Sequence, residues 1–143
     1  MGREVRTVPA HWEHPQDDSG RYIPLLGHSY SSAAVEFLEM ANTKGLQEAV
    51  DYMHCPDKND YMPEWAEEEK THLMMYEDTS EGTPISPAFK TPEELARWLV
   101  DNKASSFGSG TGTYEGWLRV ANGGFAPSMV LSSNGLQSGV DAL

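Results

Sequence analysis

The stretch Tyr76-Glu77-Asp78-Thr79-Ser80-Glu81-Gly82-Thr83-Pro84-Ile85-Ser86-Pro87 limits the fold more than any other part of this chain. Two X-Pro steps, Thr83-Pro84 and Ser86-Pro87, bias the preceding residues to extended or turn geometry and remove two backbone donors. Residues 77–90 therefore cannot form a helix. They are expected to make a rigid, hydroxyl-rich connector with few backbone groups paired in a sheet. The connector runs into Thr91-Pro92-Glu93-Glu94, a capping box with proline at the first helical position. A helix is expected over residues 91–102, with Leu95, Trp98 and Leu99 on its buried stripe and Arg97 off it.

The other elements follow from periodicity. Residues 3–8 read as a short strand ending at Pro9, and Tyr22 to Leu26 as a second short strand that Pro24 pushes to an edge. Ser31 and Ser32 are candidate caps for a helix carrying Ala34, Phe37, Leu38 and Ala41 on one face. Asn42-Thr43-Lys44-Gly45 interrupts it, and Leu46, Ala49, Val50 and Met53 resume the period until Pro56, as two helices or one kinked helix. Pro63 suits a first helical turn, and Glu64, Glu67, Glu68 and Glu69 complement its positive end. Trp65, Glu69, His72 and Tyr76 then fall near one helical stripe. Phe107 to Thr113 is a glycine-rich lead-in to a helix over 114–121, with Thr113 as its cap and Asn122-Gly123-Gly124 ending it. Ser128 to Val140, with a turn at Asn134-Gly135, suggests a small β-hairpin. The whole is expected to be α+β, one domain over residues 1–143. It should be mainly helical, with helices around Trp65, Trp98 and Trp117, short peripheral strands and a C-terminal β-hairpin.

Composition removes several functions. With 143 residues the chain can build one modest core, and self-association into a homo-oligomer would complete its burial. The formal net charge is −12, and residues 60–94 hold ten acids against Lys70 and Lys90. Duplex nucleic acid is not an expected partner, because counterion release needs Lys and Arg. No apolar run reaches the roughly 20 residues of a membrane span. A single cysteine, Cys55, excludes an internal disulfide and fits a reducing cytoplasm.

No catalytic constellation stands out, and no cofactor is expected. There is no Gly-x-Ser-x-Gly elbow. His11 and His14 have the spacing of two metal ligands, but no cysteine or carboxylate joins them at a defined position. The simpler reading docks Trp12 on the core with both histidines at its rim. Glu69-x-x-His72 matches one step of a carboxylate di-iron site, and no second copy is present. His54, Cys55 and Asp57 are explained as well by a helix end with a buried cysteine. The better candidates are two recognition loops. In the connector, Thr79, Ser80 and Thr83 can donate hydrogen bonds and Gly82 permits close approach. The alternative is that these hydroxyls satisfy their own backbone. In the second loop, Gly108, Gly110 and Gly112 can turn backbone N–H groups toward an anion, although no lysine follows as in a P-loop. Tyr76 and Trp98 are candidate stacking surfaces for a base, and Arg97 a candidate cation.

Three segments of the sequence carry a resemblance. Arg3-Glu4-Val5-Arg6 through Trp12-Glu13-His14-Pro15, the run Met62-Pro63-Glu64-Trp65 with Thr71 through Pro87, and Thr91 through Leu99 resemble a family of small proteins of tailed bacteriophages and prophages. Together they span roughly half the chain. The resemblance implies the cytoplasm of an infected bacterium as the setting and brings no catalytic residues with it. The resulting expectation is a non-enzymatic counter-defence protein, which sequesters a small nucleotide immune signal or blocks a host defence protein. The alternatives are a small metal-dependent hydrolase built on His11, His14, Glu69 and His72, and a phage structural or assembly accessory protein.

Overall fold

Strand β1 (Arg3–Val8) is the middle strand of a three-stranded antiparallel sheet, with β2 (His72–Glu77) on one side and β5 (Phe125–Ala126) on the other. The computed structural model describes residues 2–77, 82–107, 110–123, 125–126, 129–132 and 135–142. The fold is α+β. The chain divides into two compact units, residues 24–64 and the remainder.

In the larger unit, α3 (Pro92–Asp101) packs on α4 (Tyr114–Gly123), and α4 packs on β1. Met75, Leu95, Leu99, Trp117, Val120 and Val140 form the centre of the core, with Val5, Leu73 and Trp98 packed against it. Thr91 caps α3 by accepting from the Glu94 N–H at 3.2 Å, with Pro92 in the first turn; this is one half of the expected capping box, and the Glu94 carboxylate accepts from the Thr91 hydroxyl at 3.2 Å. Trp65 lies outside this core and stands edge-on to Trp12, with ring centroids 4.9 Å apart. A short ladder of β3 (Ser105–Phe107) and β4 (Gly110–Thr111) leads to α4. The expected C-terminal hairpin is present as β6 (Met129–Ser132) and β7 (Gly135–Ser138), followed by the one-turn helix α5 (Gly139–Ala142).

Two expectations are overturned here. The segment from Pro63 does not make a helix bearing Trp65, Glu69, His72 and Tyr76. The glutamates make a single 3-10 turn, Glu67–Glu69, and the chain then becomes β2. Leu73-Met74-Met75-Tyr76 is a short apolar run, and such a run also suits a strand covered on both faces. The connector is also paired. Glu77 N–H donates to the Thr83 carbonyl (2.9 Å), Ile85 N–H to the Met75 carbonyl (2.8 Å), and Leu73 and Phe89 exchange bonds in both directions. Pro84 lies opposite Tyr76, between those bonds, where the ladder asks for no donor. Where Ser86-Pro87 bulges out of register, the Ser86 hydroxyl stands in for a carbonyl and accepts from the Met75 N–H at 2.9 Å.

The smaller unit holds α1 (Tyr30–Lys44) and α2 (Leu46–Met53), consecutive helices separated at Gly45, whose φ of +96° favours glycine. Ser29, one turn earlier than expected, caps α1 through the Ser32 N–H (3.0 Å). Phe37 is buried while Leu38 is 59% exposed, so the apolar face is narrower than its periodicity suggested. The expected strand from Tyr22 to Leu26 is reduced to two isolated bridges, Gln16 with Tyr22 and Leu26 with Tyr61.

Candidate binding cleft

The two faces of β2 do different work because its side chains alternate. Leu73 and Met75 join the helical core. Met74 and Tyr76 belong to the opposite face, where their register partners on β1 are Arg6 and Glu4. The Arg6 guanidinium lies over the Tyr76 ring, 4.2 Å from its centroid, and is held by the Glu4 carboxylate at 2.8 Å. Beyond β1 the chain turns, with Trp12 N–H donating to the Pro9 carbonyl at 3.1 Å, and brings Trp12 and His14 to the Tyr76 hydroxyl.

The hydrogen bonds there settle the protonation pattern. His14 Nε2 is 2.6 Å from the Ile23 carbonyl, an acceptor only, so Nε2 carries the hydrogen. In the neutral ring Nδ1 then accepts from the Tyr76 hydroxyl at 2.9 Å. The same hydroxyl accepts from Trp12 Nε1–H at 3.1 Å. Burial holds His14 below its ordinary value of 6.5, the charge of Arg6 acts the same way, and the bond to Ile23 opposes both. Burial pushes the Tyr76 phenol up to about 12, against the bond from Trp12 and the charge of Arg6. Neutral imidazole and neutral phenol are therefore the stable pair.

A cleft of about 590 Å³ opens beside this cluster. It is lined by residues 10–14, Gln16, Tyr22, Met74 and residues 86–88. Its volume falls inside the roughly 300–1,000 Å³ typical of small-molecule sites. Among the described lining residues there is one acid, Glu13, and no Lys or Arg. His14 is buried rather than at a rim, while His11 is exposed.

The loop residues singled out by sequence do not line this cleft. Tyr76 is its neighbour, but with 0% exposure it presents no surface for a base. Thr79, Ser80 and Gly108 lie outside the described residues. The Thr83 hydroxyl donates to the Glu77 carboxylate at 2.9 Å, and Gly82 is buried with φ +55°. Arg97 lies over the Tyr114 ring at 4.5 Å, and the half-buried Trp98 packs on the core and beside Phe89. Gly110 is exposed in β4. Gly112 is a packing glycine: a Cβ there would come within 2.8 Å of Trp117 Nε1 and of Val140 Cγ1. The anion expected at the start of α4 is the chain's own Asp141 carboxylate, which accepts from the Thr113 N–H and hydroxyl, both at 2.9 Å. Among the described residues no group of three or more His, Cys, Asp or Glu could hold a metal ion, so His11, His14, Glu69 and His72 do not form the four-ligand set considered from sequence.

The cleft-lining residues that the periodicity did not single out include Trp12, Glu13, Tyr22, Ser86 and Pro87. Trp12 and Glu13, and Ser86 and Pro87, lie in two of the sequence segments on which the expected resemblance rested. Comparison with protein-family models, curated proteins and solved structures finds no match.

Proposed function

We propose that this chain is a non-enzymatic binding protein that counters host defence in an infected bacterial cytoplasm, and that the Trp12–His14–Tyr22 cleft is its recognition site. The observation that carries the reading is the cleft's preorganised wall. Trp12, His14 and Tyr76 hold one another through spent donors and acceptors, which favours binding over proton transfer. Of the two modes expected, blocking a defence protein is better supported than holding a nucleotide signal. The described lining offers Glu13 and no basic side chain to a phosphate. No described helix is long and apolar enough to cross a membrane.

The test is plating efficiency of a defence-sensitive phage on cells that carry single defence systems. Wild-type protein supplied in trans should restore plating against at least one system, and Trp12→Ala should not, at equal abundance. Absence of rescue against every system overturns the counter-defence role. Equal rescue by the variant overturns the role of the cleft.

A further inference from the structure

Three rings around the cleft stand nearly perpendicular in succession. Trp12 and His14 meet at 78° with centroids 6.0 Å apart, and His14 and Tyr22 meet at 87° and 5.6 Å. Tyr22 is 44% exposed, Trp12 is half-buried, and His14 is 6% exposed and forms the deep wall between them. Rings set edge to face in this way present π faces from different directions, the arrangement that surrounds an organic cation and attracts it through the ring quadrupoles. Both nitrogens of His14 are already hydrogen-bonded, so the ring offers no free lone pair to a ligand. Glu13 supplies a carboxylate on the same lining. The Arg6 guanidinium lies on the neighbouring Tyr76 ring at 4.2 Å, with its charge paired to the Glu4 carboxylate at 2.8 Å. The net charge of −12 draws further cations toward the surface.

We infer that the cleft takes an organic cation, an alkylated ammonium or guanidinium head group, seated among Trp12, His14 and Tyr22 and paired with Glu13. This rests on the binding reading above and narrows it. The same chemistry is carried by a free metabolite and by a lysine or arginine side chain of a partner protein.

Calorimetry on the full chain tests the inference with choline, acetyl-trimethyllysine amide and acetyl-arginine amide, against the neutral choline isostere 3,3-dimethyl-1-butanol. At least one cation should bind ten times more tightly than the isostere. Tyr22→Leu and Glu13→Gln should each weaken that cation by roughly two- to thirtyfold, and Glu13→Gln should leave the urea midpoint in place. Tighter binding of choline assigns a free metabolite, and tighter binding of either amino-acid amide assigns a protein side chain. The inference is overturned if the isostere binds as well as the cations, if neither substitution weakens binding, or if none of the cations binds. In each of those cases the phage-plating experiment still decides whether the cleft is a recognition site.

Discussion

Tyr76 belongs to a three-residue set in which each member answers another's hydrogen-bonding need, so its removal should be felt at both neighbours. Tyr76→Phe leaves Trp12 Nε1–H without its acceptor and His14 Nδ1 without its donor, and should lower the unfolding free energy by about 1–3 kcal/mol in urea titration. The raised phenol pKa adds an alkaline signature. The folded state holds the proton to about 12 and the unfolded state loses it from 10.0, so stability is complete below pH 10 and falls as pH rises toward 12. That fall should be on the order of 2–3 kcal/mol and absent from Tyr76→Phe. His14 acts at the other end of the scale. Its folded pKa lies below 6.5, so between that value and 6.5 the unfolded chain binds the extra proton and stability drops with falling pH. The difference in urea midpoint between wild type and His14→Asn, followed from pH 8 to pH 4, should shrink through this window. A difference that stays constant would show that His14 does not change its charge on unfolding.

Helix ends carry the local signals that a sequence states most openly. Thr91 is legible as a cap because its side chain meets the Glu94 N–H within one turn, and Thr91→Ala should cost about 1 kcal/mol by thermal or chemical denaturation. The start of α4 is only half legible. Thr113 caps it as expected, with its hydroxyl accepting from the Gly116 N–H at 3.1 Å, but the negative charge there comes from Asp141, 28 residues away. No local pattern names that partner. Gly112 looks like part of a flexible loop in sequence, yet it admits Trp117 and Val140 at close range. Gly112→Ala should therefore destabilise by about 1–3 kcal/mol through overpacking, where a loop glycine would show almost no effect. Strand β2 escapes a periodicity reading for a related reason. Met74, Met75 and Tyr76 are all buried, so the polar half of the strand alternation is missing.

At the scale of the whole molecule, residues 24–64 form their own compact unit. The residues that flank this excursion, Ile23 and Trp65, belong to the larger unit, where the Ile23 carbonyl bonds His14 and the Trp65 ring meets Trp12. Insertions with closely anchored ends are tolerated as near-independent units. Replacing residues 24–64 with a short Gly/Ser linker should leave the larger unit folded, with a cooperative urea transition and the alkaline signature of Tyr76 intact. Loss of cooperativity would mean that the two units fold as one.

Sequence alone determined the local matters: the strand at 3–8, a helix break read over 42–45 that falls at Gly45, the caps at Thr91 and Thr113, the C-terminal hairpin and the net charge of −12. Each depends on residues within a turn or two of one another, or on a sum over the chain. Tertiary structure alone decided which hydroxyls were already spent and which rings met. Those facts depend on pairs such as Trp12 with Tyr76, 64 residues apart, whose encounter is set by the β1–β2 register rather than by any local pattern.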